Sequence, residues 1–182
     1  MTLLIPGIFL WYAGHFFKRV TPGVRGGLGD AGKGVSAVVI LAGLVLMVIG
    51  YRGAMSGFVY APPVWGWHLN NLLMFFAILL FGMGSSKGRM RTWLRHPMLT
   101  GALTWAVAHL LVRGDTASVL LFGSIAVWAV LEMVVINAKE PPWERPEPGP
   151  VGGDIKLIVI SLVLYAVIAG VHTWLGYYPF PG

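Results

Sequence analysis

The chain has 182 residues, of which 57% are apolar and only 11% charged, against about 25% charged in a typical soluble domain. Its mean hydropathy is +0.75. These values exclude a disordered chain, a nucleic-acid-binding tail and an ordinary cytosolic enzyme, because a short chain has much surface to solvate and needs charge to do it. A bilayer removes that need.

Residues 1–17, 34–51, 53–86, 96–112, 116–131 and 157–182 carry no charge. A membrane-spanning helix needs ~20 mostly apolar residues, with a range of ~17–25. The stretch 53–86 holds one helix plus a lead-in, punctuated by Ala61-Pro62-Pro63. In chain order this predicts spans at 2–17, 35–51, 64–83, 97–112, 116–137 and 155–176. The apolar runs are continuous and lack the period-2 alternation of a transmembrane strand. The expected fold is therefore all-α, a single polytopic bundle of about six transmembrane helices over residues 1–182. Residues 1–17 are not expected to be a cleaved leader, since no basic residue precedes the apolar run.

The basic residues orient the spans. The first connection holds Lys18, Arg19, Arg25 and Lys33, and the third holds Lys87, Arg89, Arg91 and Arg95. The fifth holds Lys139, Arg145 and, just inside the last span, Lys156. Only Arg52 and Arg113 fall in the other two. By the positive-inside bias the odd connections face the cytoplasm, which puts both termini on the outer, periplasmic side. The pI near 9.9 is then a topology signal. It calls for a lipid bilayer as partner and for no nucleic acid. Residues 138–154, with five prolines among acidic residues, form a cytoplasmic connector expected to be extended and exposed.

The absence of cysteine excludes disulfides, thiolate metal sites and thiolate-ligated haem. Five histidines remain as strong nitrogen ligands. A histidine within an apolar span is costly and is a candidate functional group. Alternating the spans puts His68, His109 and His172 at the outer level and His15 and His96 at the inner one. A bis-histidine haem and a three-histidine metal site are both open at the outer level. Around His109, Gly101, Ala102 and Ala106 offer a small-residue face that suits a flat macrocycle or a neighbouring helix. Trp105 precedes His109 by one turn, and Arg113 follows by one turn, placed for a propionate. Asn70 and Asn71 are expected to bond a neighbouring backbone or to orient a ligand imidazole. Glu132 is the one acid well inside a span, with Arg95 or Lys18 as the expected partner and a proton exchange with a histidine as the alternative. Arg95, His96, Glu132 and Asn71 are the substrate or proton candidates.

Several pieces together resemble the NnrU family of bacterial membrane proteins over nearly the whole length. They are His15 with Lys18-Arg19-Val20 and Pro22-Gly23-Val24-Arg25, then Tyr60-Ala61-Pro62-Pro63-Val64-Trp65 before His68. Arg95-His96-Pro97-Met98 follows, leading through Trp105 to Ala108-His109-Leu110-Leu111 and Gly114-Asp115, and His172-Thr173-Trp174-Leu175-Gly176 closes the last helix. The resemblance implies a bacterial inner-membrane location and a link to denitrification and nitric oxide metabolism. Through the related plant 15-cis-zeta-carotene isomerases it also implies haem b and, as the alternative activity, isomerisation of a carotenoid or other polyene. It implies His15 and His109 as axial ligands, with Ala106 where the plant members carry a cysteine. By depth, His109 pairs instead with His68 or His172, because His15 is expected at the level of His96, ~20 Å from His109. Arg95-His96-Pro97 is also similar to the S-adenosylmethionine-binding Arg-His-Pro of membrane isoprenylcysteine-type methyltransferases. Their later paired glutamates are missing here, which ranks methyl transfer third, beside a non-catalytic assembly factor or a transporter.

Overall fold

The computed structural model of the protein describes residues 1–180. Among them are seven α-helices: α1 (Leu4–Val20), α2 (Pro22–Gly27), α3 (Gly29–Arg52), α4 (Gly66–Met83), α5 (Pro97–Leu110), α6 (Thr116–Lys139) and α7 (Val151–Trp174). No strand is present among the described residues, and an isolated bridge joins Phe58 to Asp115. Four helices, α3, α4, α6 and α7, are long and apolar enough to cross a membrane. With 17 and 14 residues, α1 and α5 are shorter and lie along longer neighbours. Large apolar side chains stay exposed along the long helices, as at Val38 and Leu41 of α3 and Val163 and Val167 of α7. A soluble surface does not present such continuous apolar faces.

The helices overrun the limits drawn from charge. Lys18 and Arg19 complete the last turn of α1, and Asp30 and Lys33 lie in the first two turns of α3. Basic groups at a helix C-terminus and an acid at an N-terminus complement the helix dipole, so charge does not end a helix there. Asp30 and Lys33 also pair at 2.8 Å. The helix α2 was not expected. Pro22 at its first position is preset for helical φ, and Gly29 takes φ 53° in the turn to α3, a conformation glycine adopts without strain. Residues 138–139 finish α6 and 151–154 begin α7, so the non-helical connector is 140–150.

The α1–α3 pair is packed backbone to backbone. A methyl group on Gly7 would stand 2.6 Å from Met47 N, and one on Gly43 would stand 2.8 Å from Trp11 N. Glycine is required at both positions. On the other side of the molecule α5 lies between α4 and α6, and α7 covers α4. The core joins the two parts through Leu4, Met47, Ala102, Ala106, Phe122, Ile125, Trp128 and Ala129. Hydrogen bonds close one end of the bundle. Asp115 caps α6 by accepting from Ser118 N at 3.0 Å, and it also accepts from the hydroxyls of Ser56 and Ser118. With its proton given to Asp115, Ser118 Oγ accepts from Tyr51 of α3 at 2.9 Å. Burial pushes the Asp115 carboxyl up, but the bonds from Ser118 and Ser56 outweigh it and hold the group below its ordinary value. Burial, with the Asp115 charge beside it, pushes the Tyr60 phenol up.

Candidate functional site

Three of the five histidines share one posture. His15, His109 and His172 each place Nδ1 2.8 Å from the carbonyl oxygen four residues earlier, on Trp11, Trp105 and Ile168 respectively. A carbonyl only accepts, so Nδ1 carries the proton and Nε2 keeps its lone pair. That tautomer is the one a metal-ligating imidazole needs, with the second ring nitrogen held by a hydrogen bond. His96 is committed elsewhere, its Nε2 donating to Asn137 Oδ1 at 2.9 Å. His68 is exposed.

Two of these histidines form matching modules. On α1, Trp11 and His15 have ring centroids 4.3 Å apart, and both rings pack on Trp128 of α6, at 5.2 and 4.6 Å. On α5, Trp105 and His109 are 4.8 Å apart, and both pack on Phe122 of α6, at 5.0 and 4.5 Å. The motif Trp-x-x-x-His thus occurs twice, each copy facing an aromatic ring of the same helix. The shared spacing was present in the sequence at 11 and 15 and at 105 and 109, and it went unused there. Trp11, Phe122 and Trp128 were not expected at the site.

Helix α6 also measures depth. His109 stacks on Phe122, His15 packs on Trp128, Arg19 meets Glu132, and His96 meets Asn137. His15 therefore stands six residues, or about 9 Å, from the level of His109 and nine residues, or about 14 Å, from that of His96. The expected grouping of His15 with His96 is corrected: α1 is displaced towards the Asp115 end. The partners also give direction, since α1 runs parallel to α6 and α5 runs against it.

The remaining expected residues fall as follows. Glu132 pairs with Arg19 at 2.5 Å, not with Arg95 or Lys18. Arg19 lies on the α1 face that also carries Trp11 and His15, at i, i+4 and i+8, whereas Lys18 is exposed and reaches Glu140 at 4.0 Å. Arg95 donates to Pro141 O at 2.7 Å. Asn70 donates to Ala108 O at 2.8 Å and Asn71 to Pro179 O at 2.9 Å, the backbone option for both. Gly101 packs on Ala77 and Phe81 of α4, while Ala102 and Ala106 belong to the buried core with Phe122 and Ala129. Helix packing uses the small-residue face of α5. Arg113 lies over the Tyr177 ring at 5.1 Å. Among the described residues no three His, Cys, Asp or Glu side chains converge, so His68, His109 and His172 do not form a three-ligand metal site.

Polar atoms without partners gather beside the α1 module. The indole N–H groups of Trp11 and Trp128, Arg19 Nε and Glu132 Oε2 are buried and unpaired. Each such group costs about 1–3 kcal/mol, and they cluster at the seam between α1 and α6. α1 and α5 flank α6 but share almost no direct contact.

No curated protein and no solved structure matches this chain. The family model described as NnrU protein matches residues 3–179. That span takes in both Trp-x-x-x-His modules, and the chain belongs to the NnrU family.

Proposed function

We propose that the protein is a six-span inner-membrane protein of NnrU type that binds haem b between α1 and α5 through His15 and His109, and acts in nitric oxide metabolism. The spans are α1, α3, α4, α5, α6 and α7. Both termini lie on the periplasmic side, and the Glu140 end lies in the cytoplasm. The paired modules carry this reading: two imidazoles on antiparallel helices, each with Nδ1–H held by a carbonyl and Nε2 free.

The residues fit the group in their donor set. Two neutral imidazoles supply the axial nitrogens, and Phe122 and Trp128 wall the site. The orphaned indole N–H groups and Arg19 Nε offer donors to carboxylates. Bound haem would supply a redox-active iron able to take a diatomic ligand or polarise an alkene. The protein's part is to hold each imidazole in one tautomer, to exclude water with the aromatic walls, and to balance charge through Arg19 and Glu132. The alternative activity is isomerisation of a lipidic polyene entering from the bilayer.

An absorbance scan of protein purified from haem-replete cells, oxidised and then reduced with dithionite, tests the reading. A Soret band is expected, lost in His15→Ala and in His109→Ala and kept in His68→Ala and His172→Ala. No Soret band in the parent protein refutes haem binding. Loss in His172→Ala with retention in His15→Ala moves the second ligand to α7. Spectral change on adding nitric oxide, against isomer analysis with a cis-polyene, separates the two activities.

A further inference from the structure

We propose that the junction of α4 and α5 holds one anionic phospholipid, with its phosphate on Arg95 and an acyl chain along Phe81, Met98 and Leu99. Two clefts meet at Arg95 and His96. One, of about 550 Å³, reaches under the connector past Ile136, Glu140 and Trp143. The other, of about 480 Å³, runs between Phe81, Ser85, Pro97, Met98 and Leu99. Glu140 and Glu144 line the first and repel an anion there. The second has no acid and its walls are mostly apolar.

Charge favours the same occupant. The segment 84–96 carries Lys87, Arg89, Arg91 and Arg95 and no acidic residue. Among the described residues the ion pairs are made by Lys18, Arg19 and Lys33, which leaves these four cations without a carboxylate. Arg95 spends one N–H on Pro141 O, and His96 spends Nε2 on Asn137. The remaining guanidinium N–H groups of Arg95 stay free for a phosphate. A soluble phosphate would leave the apolar walls unused. Trp93 and Met98 are 60% and 65% exposed beside the cleft, as interfacial anchors are. The site is made of residues other than those of the two histidine modules and does not depend on haem.

Native mass spectrometry of the detergent-purified full chain tests the proposal, with phosphatidylglycerol and phosphatidylcholine of equal chain length as probes. One phosphatidylglycerol is expected to survive activation that strips phosphatidylcholine. Arg95→Gln weakens its retention about tenfold, the scale of one charge-assisted bond. Leu99→Trp fills the apolar arm without touching Arg95 and has a similar effect, while Arg52→Gln has none. Equal retention of the two lipids overturns the proposal, as does wild-type retention by either cleft variant. Displacement of the lipid by excess inorganic phosphate alone also overturns it, because the site would then serve a soluble anion.

Discussion

The two faces of α1 solve opposite problems. Towards α3 the helix sets Gly7 against Gly43 and Gly14 against Ser36 and Ile40, while Gly50 of α3 meets Leu3 and Leu4, and the backbones touch. Towards α6 it carries Trp11, Tyr12, His15 and Arg19, and whole side chains hold the helices apart. The glycine face has close packing and no polar atom to satisfy. The aromatic face buries four unpaired polar atoms. A protein keeps such atoms where function needs them and offsets their cost elsewhere. The α3 side is the rigid backing, and the α6 side is the working surface.

The largest expected effect breaks the working face. Arg19→Ala leaves Glu132 buried without its cation and costs about 3–5 kcal/mol, whereas Arg19→Met combined with Glu132→Leu recovers most of that loss. Thermal unfolding in detergent measures both, and a single variant as stable as the double one would show that the pair is not isolated from water. Gly43→Ala attacks the backing. Its methyl group would press on Trp11 N and Gly7 O, for a loss of about 1–3 kcal/mol. An unchanged melting temperature would mean that α1 and α3 can separate freely.

The smallest effect sharpens the comparison at the Asp115 end, where α3 is tied to α6. Asp115→Ala removes the cap and costs about 1 kcal/mol. The folded carboxyl sits below its ordinary value, so its contribution is complete at neutral pH, above the unfolded value of about 3.9. It is lost as pH falls through the lower folded value. Melting temperatures at neutral and acid pH should therefore converge for the parent and the variant, and a constant gap would contradict the assigned shift.

The helices themselves were legible. Charge-free runs located α1, α3, α4, α5, α6 and α7 with ends off by up to about six residues, because long apolar helices advertise themselves by composition. Their ends were less legible, since Lys18, Arg19, Asp30 and Lys33 are charged yet helical. Depth failed for His15 because alternation assumes that every span starts at the same level. The offset of α1 depends on which α6 residues its aromatic face meets, and Trp128 and Glu132 are far away in sequence. Glu132 was correctly singled out, but its cation was misassigned between two adjacent residues, Lys18 and Arg19. Those two point to different sides of one helix turn.

The parallel run of α1 beside α6 sets an order of assembly. The α1–α3 hairpin closes on neighbours within the first third of the chain and can form while synthesis continues. The α6 face cannot. Tyr12 waits for Ser124 across 112 residues, and Arg19 waits for Glu140 across 121. Until α6 has been inserted, the N-terminal histidine has no aromatic wall and no buried counter-ion. The aromatic face of α1 thus stays open until α6 arrives, and its buried ion pair forms late in biosynthesis.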